Sequence, residues 1–500
     1  MDPGETSLAQ GRPIAPRYLQ EAGLGERGVR EVKKVRPGAG APGLGRETLL
    51  YGLSTLVSGL VMLAFLPFMS ARLDAAEAGE VGTLRIIAEV LAGVMVLGLP
   101  VGIVRMWQTE GASKRALVAR ASMGCAFAGL AAGLLCAAFG RQIGSLLNLS
   151  LAYGILHAFL LGLGAAFVQV ALSFHRADGR PVSYFLIQAS RGLASLALLP
   201  LLLMAGAGGV ESFLMARWIP ALLAAAAALL LAFRFAPGSR GGAAGLFRYS
   251  LPLMPAGLAL LILSSADMIM LRAMAPDLSE SGYYEWASSA CMALTPLTIG
   301  FGMAWHRQIF ALKGVPGGLA KLGRQSLVFV VVLEAAAMLL ALFSREAVSL
   351  VGGAEYAGAA RVLPILAGSS ALYGIYLVAQ TGPLLEGRTW LVALTTVLGA
   401  AGNLAFNYRL IPQYGASGAA LATLGTNLFM SASLFWAGRG GFPVSAPAVV
   451  MIMAVPSAMG PLSTLPLPWR AGAAFLWTLG SALLCRSLLL AEKDDEPGNA

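Results

Sequence analysis

Charged residues are missing from long stretches of this chain, and that pattern limits the fold more than any motif does. The intervals 48–71, 121–140, 192–210, 249–266, 362–384, 389–408, 410–438 and 440–469 hold no Asp, Glu, Lys or Arg. A helix needs about 20 apolar residues to cross a bilayer, where every backbone polar group must be satisfied internally. Runs of this length, without the alternation of a half-buried strand, predict spanning helices. Charged residues make up 12% of the chain and the mean hydropathy is +0.74, whereas soluble domains carry roughly 25% charged residues. An ordinary cytosolic enzyme is thereby excluded.

Allowing a few embedded charges, spans are expected near 49–70, 82–104, 121–140, 151–173, 183–204, 213–233, 250–272, 284–306, 325–343, 362–381, 389–408, 415–437, 447–463 and 471–489. The result is an all-α polytopic membrane protein of about fourteen helices, with Pro456 and Pro461 positioned to kink or shorten the thirteenth. Residues 1–46 are rich in Pro, Gly and Arg and read as a disordered cytosolic tail; 491–500 read as an acidic cytosolic tail. Lys and Arg gather in alternate loops: 105–120 (Arg105, Lys114, Arg115, Arg120), 234–248 (Arg234, Arg240, Arg248) and 307–324 (Arg307, Lys313, Lys321, Arg324). Positive charge marks the cytosolic face, so both termini are expected inside. The net charge of +10 then reflects loops facing an anionic leaflet rather than a nucleic-acid partner.

Cys125, Cys136, Cys291 and Cys485 lie inside apolar stretches with no paired spacing, as small packing residues do. His157, His175 and His306 are scattered. Neither a disulfide nor a metal site is expected, and no cofactor. The chain lacks a GxxxxGK[ST] loop, so nucleotide hydrolysis is not expected either.

The segment DAAEAGEV at 74–81 returns as DLSESGYY at 277–284, with Asp, Glu and Gly in register. The interval corresponds to six spans, and an even number gives two halves of the same orientation, a parallel repeat common in transporters. The expected organisation is a six-helix lobe over 47–233, a basic linker at 234–248, a second six-helix lobe over 249–437, and two additional helices within 438–490.

Several segments together resemble the polysaccharide-biosynthesis or O-antigen-type flippases of the multidrug/oligosaccharidyl-lipid/polysaccharide exporter superfamily. They are the opening span with its Leu73-Asp74 turn, GLPVGIVRMW at 98–107, HRADGRP at 175–181, SLPLMPAGLALLILSSADMIML at 250–271, GAEYAGAARVLPIL at 353–366 and LIPQYGASGAALAT at 410–423. The resemblance covers about 46–440. Two departures stand out: Asp267 is followed by Met268 where the family often has Arg, and His306 follows Trp305 where a Pro is common. The resemblance implies two six-helix lobes around a central cavity, and a non-enzymatic flippase that moves a polyprenyl-diphosphate-linked oligosaccharide across the bacterial inner membrane. Its partners would be that lipid-linked substrate, membrane lipids, and a glycan polymerase with export machinery.

Moving such a substrate requires a polar, cationic interior, because an anionic sugar head does not cross hydrocarbon unaided. Charges at membrane depth cost about 2.5–3.5 kcal/mol each on insertion scales and are functional candidates. Here they are Arg85 and Glu89 in the second span, Arg191 in the fifth, Arg217 in the sixth, Asp267 in the seventh with Arg272 at its end, and Glu334 in the ninth. The arginines suit phosphate, since a planar guanidinium binds two oxygens at once. Arg191 is the deepest and the first choice. Arg85 and Glu89, four residues apart, share a helix face and are able to neutralise one another. Asp267 is expected to orient Arg272 as an ion pair, and Glu334 or Glu89 to couple transport to an ion. Asn403, Asn407, Asn427, Gln169 and Gln188 are candidates for sugar hydroxyls or for helix-to-helix bonds. Trp107, Trp305 and Trp390 fall near span ends, as interfacial aromatics do.

Two alternatives follow from the same residues. A drug exporter of the same superfamily would present acidic cavity residues to cationic drugs, and here arginine outnumbers Asp and Glu at depth. A membrane-embedded glycan polymerase or ligase would need a long outer loop, and the outer loops expected here are short.

Overall fold

Leucine and alanine runs without charge form helices of membrane length throughout the chain. The computed structural model describes residues 44–107, 113–151, 153–236, 245–312, 315–438 and 446–494, with no strand among them. The expectations for 1–43, for the centre of the basic linker at 237–244 and for 495–500 lie outside the described residues. From Leu44–Arg72 (α1) the chain passes through Ala75–Met95 (α2), Leu99–Trp107 (α3), Lys114–Leu146 (α4), Gly154–Ala177 (α5), Pro181–Met204 (α6) and Gly209–Phe235 (α7). It continues with Leu246–Ser250 (α8), Met254–Met274 (α9), Ser279–Cys291 (α10), Thr295–Leu312 (α11), Gly318–Leu342 (α12) and Ser344–Ala347 (α13). The last elements are Ala359–Ala379 (α14), Thr381–Leu385 (α15), Thr389–Ala437 (α16), Ala446–Leu462 (α17) and Leu467–Asp494 (α18).

Seven of these helices are long and apolar enough to cross a bilayer, and α2 with α3 forms an eighth, bent by 42°. Leu97 and Gly98, both at positive φ, make that bend. The 49-residue α16 also breaks, at Gly415 (φ 55°, ψ −131°), a backbone region that glycine adopts without steric cost. Among the outer helices, α4 leaves Met123, Phe127, Leu130 and Leu134 more than half exposed, an apolar sheath suited to acyl chains rather than water. This helix is longer than the expected 121–140 because Lys114, Arg115, Arg120 and Arg141 sit on its end turns, where long side chains reach the interface.

Among the described residues, α2 and α4 start at polar side-chain caps, Asp74 and Ser113. Asp74 accepts from the Glu77 backbone at 2.8 Å and Glu77 accepts from the Asp74 backbone at 3.0 Å, a reciprocal capping box. Asp74→Ala is expected to cost about 1 kcal/mol, measurable as a lowered melting temperature of the purified protein. At the equivalent place in the repeat, Asp277 accepts from Ser279 N at 3.1 Å. The two repeat segments meet: Gly79 in α2 lies against Ser281 and Gly282 in α10, and Gly282 lies against the Ala75 carbonyl.

Two of the expected interfacial tryptophans are interior. Trp107 is 6% exposed and donates to Asp178 at 3.2 Å; Trp305 is 1% exposed and donates to Thr381 at 2.9 Å. Each indole nitrogen found a protein acceptor, which permits burial. Trp390, by contrast, is 61% exposed. Helix α18 is fastened by Arg470, whose guanidinium donates to Glu346 at 2.8 and 2.9 Å. These bonds hold the Glu346 carboxyl below the usual range, so the contact is present at neutral pH and fades as pH falls through the lowered value.

Candidate functional site

At one end of the molecule, called here the Asp74 end, residues from distant parts of the chain close over the helices. Tyr356 donates to the carbonyls of Leu73 and Asp74 at 3.0 and 3.2 Å, and Glu355 accepts from Ala75 N at 3.2 Å. Trp286 donates to Ser70 at 3.0 Å. Glu280 pairs with Arg361 and accepts from Ala416 N, just past the Gly415 break, at 2.7 Å. The 353–366 and 410–423 segments singled out in the sequence are therefore closure elements.

Arg272 belongs to this closure and not to a cavity. It is 2% exposed and donates to the carbonyls of Leu147 (3.1 Å), Ala76 (3.0 Å) and Asn148 (2.7 Å), and approaches Glu80 at 3.5 Å. Glu80 in turn accepts from Ser150 N and Oγ and from Leu151 N at 2.6–2.9 Å. The expected Asp267–Arg272 pair is corrected: Arg272 finds carbonyls and Glu80, and Asp267 is held by neutral donors. Tyr284 donates to Asp267 at 2.7 Å, Asn407 at 2.6 Å and Thr423 at 2.6 Å.

Beneath the closure lie three adjoining cavities. The inter-half cavity, about 390 Å³, is lined by α1, α2, α9 and α10 and includes Arg85, Glu89, Asp267, Tyr284, Glu285 and Met292. A second cavity of about 270 Å³ shares Ser58, Met62, Arg85 and Glu89 with it, and adds Gln188, Arg191 and Arg217. A side cavity of about 300 Å³ between α5 and α6 shares Gln188 and Arg191 with the second, and adds Gln169, Arg176 and Tyr184. Arginines therefore recur along a continuous series of wall residues.

Their environments differ. Arg85 is bound on both sides: Nε and Nη2 to Glu285 at 3.3 and 3.0 Å, Nη1 to Glu89 at 2.7 Å. Arg217 stacks over Phe65 at 5.1 Å, touches Met62 Sδ at 3.7 Å, and leaves Nη1 buried with no hydrogen-bond partner. Depth explains why it does not snorkel: α7 begins at Gly209, so Arg217 lies about 12 Å in. The guanidinium of Arg191, about 15 Å into α6 and half-buried, makes no hydrogen bond or ion pair among the described residues. Glu334 is 2% exposed, lines none of the three cavities, and has Oε1 unpartnered. Asn427 donates to Ser369 O and Oγ on α14 at 3.1 and 2.9 Å and Asn407 to Asp267 on α9 at 2.6 Å, bonds between helices, whereas the bond of Asn407 to Asn403 at 3.0 Å stays within α16. No group of three or more His, Cys, Asp or Glu able to hold a metal occurs among the described residues.

Glu285, Glu80 and Arg176 were not singled out from the sequence. Glu285 follows the first residue of the expected span 284–306 and so counts as interfacial there. The helix in fact starts at Ser279, which places Glu285 about 9 Å into it. Asp277, in register with Asp74 and accepting from Ser279 N, is the signal that reveals it.

No family model and no curated protein matches the sequence. Among solved structures, lipid II flippase MurJ in an inward closed conformation matches with a TM-score of 0.62 at 14% identity, over 90% of this chain and 99% of its own. An inward-facing multidrug resistance MATE family transporter of the MOP superfamily matches with a TM-score of 0.56 at 13% identity, over 81% and 96%. The chain has the fold shared by these two structures. The MATE transporter ClbM in complex with Rb⁺ is more distant, with a TM-score of 0.50 at 14% identity over 82% and 96%. This fold agrees with the all-α polytopic architecture expected from the sequence.

Proposed function

We propose that this protein is a flippase that carries a polyprenyl-diphosphate-linked oligosaccharide across the bacterial inner membrane by alternating access. The observation that carries the reading is the pair Arg191 and Arg217, which share a cavity wall and lack any carboxylate partner in the described residues. Arg191 makes no bond and Arg217 keeps a buried N–H unsatisfied. A buried donor without an acceptor is costly, and phosphate oxygens meet both guanidinium groups with charge-assisted bonds. A cationic drug would be repelled by the same pair. The prenyl tail stays in lipid while the head occupies the cavities.

Arg85 supplies the link to motion. Its bonds run within α2 to Glu89 and across to Glu285 on α10, so an anion that draws Arg85 away weakens a contact between the first and second halves of the chain. The halves 47–233 and 249–437 then rock about the cavities, and the Asp74 end opens. In this reading the opposite end, with its basic loops, faces the cytosol together with both termini. Glu334 and Glu89 remain the candidates for ion coupling.

Arg191→Ala is expected to lower translocation at least 100-fold in proteoliposomes loaded with a polyprenyl-diphosphate oligosaccharide, read by leaflet-specific access of a lectin, with melting temperature unchanged. Arg191→Lys should recover part of the rate, because charge returns without the bidentate fork. A fully active Arg191→Ala protein would remove this reading.

A further inference from the structure

The side cavity between α5 and α6 has a chemistry distinct from its neighbour. Two guanidinium groups, Arg176 and Arg191, line it together with the amides of Gln169 and Gln188 and the phenol ring of Tyr184, and no carboxylate does. Gln188 Oε1 is buried and accepts no hydrogen bond, while Ser173 Oγ already donates to the Gln169 carbonyl at 2.7 Å and is left as an acceptor. An unsatisfied buried amide oxygen calls for a hydroxyl or N–H donor from a ligand. Arg191 stands in the walls of both this cavity and the second one. A diphosphate gripped at Arg191 therefore holds its next covalent group at the mouth of the side cavity.

We infer that the side cavity is a sugar subsite that takes the first hexose attached to the diphosphate, with Gln188 Oε1 as acceptor for one of its hydroxyls. The inference rests on the diphosphate reading given above and adds to it a neutral or acidic hexose as the recognised class. Volume agrees: about 300 Å³ lies at the lower limit of small-molecule sites, suited to the first sugar rather than to a whole glycan. Selectivity follows from the amides, because a site built to bond a hydroxyl rejects a ligand that lacks it.

The test uses the full detergent-solubilised chain and two probes, farnesyl diphosphate and farnesyl diphosphate bearing one hexose, titrated calorimetrically. Wild type is expected to bind the hexosyl probe ~10-fold more tightly than the bare one. Gln188→Ala should weaken the hexosyl probe more than bare farnesyl diphosphate and so erase that advantage; Tyr184→Phe provides a second variant if Gln188→Ala does not fold. Equal affinity of wild type for the two probes, or a full hexose advantage in folded Gln188→Ala, overturns the sugar subsite. If Arg191→Ala still loses both probes in that case, the diphosphate reading survives. Failure of wild type to bind either probe overturns both.

Discussion

Gly282→Val is expected to force the Asp74 end apart. A Cβ at position 282 would overlap the carbonyl oxygen of Ala75 and crowd that residue's carbonyl carbon and Cα, and backbone of a capped helix cannot swing aside as a side-chain tip does. Overpacking costs about 1–3 kcal/mol; with backbone as the obstacle the upper figure applies, equivalent to roughly 100-fold in the ratio of closed to open forms. The clash exists only while α2 and α10 are in contact, so the closed form alone is penalised. Ser70→Cys, beside Trp286 in the closure, should react with a membrane-impermeant thiol reagent far faster in the Gly282→Val background, and translocation should fall because one of the two states is depleted. Unchanged labelling would show that the repeat segments do not form the closure.

Arg272→Ala is the second large effect, and it separates a structural role from a substrate-binding one. The guanidinium is 2% exposed and serves three carbonyls and Glu80. Removing it leaves buried acceptors unpaired and Glu80 without its cation, a loss of about 3–5 kcal/mol for a broken buried pair. Thermal unfolding of the variant should begin well below that of wild type. Farnesyl diphosphate should still bind the folded fraction with ordinary affinity, since Arg272 lines none of the cavities. A stable protein with abolished binding would restore Arg272 to the substrate site.

Much of the fold was legible because charge-free length is a direct readout of bilayer thickness. Helices such as Pro181–Met204 and Ala446–Leu462 fall within a few residues of the expected 183–204 and 447–463. Depth in the sequence also located Arg85, Arg191 and Arg217, all of which line cavities. Partners were not legible, for a physical reason: a charge's depth is set along its own helix, whereas its partner is set by packing between helices. Asp267 and Arg272, one helical turn apart, looked paired along the chain, yet tertiary contacts gave Asp267 to Tyr284, Asn407 and Thr423. Glu285 escaped notice because hydropathy begins a span at its first apolar residue, while the helix begins earlier, at Ser279. Trp305 looked interfacial by position and is interior because Thr381 accepts its N–H.

Protection of a cysteine placed in the cavity wall tests the central claim most directly. Ser58 lines both the inter-half cavity and the arginine cavity beside it, and Ser58→Cys can be labelled with a charged thiol reagent against the parent protein as background. A polyprenyl diphosphate should slow that labelling in a saturable manner, the matching polyprenyl alcohol should not, and Arg191→Ala should abolish the protection. Equal protection by alcohol and diphosphate, or none by either, would contradict the account that these arginines cradle a phosphorylated lipid head.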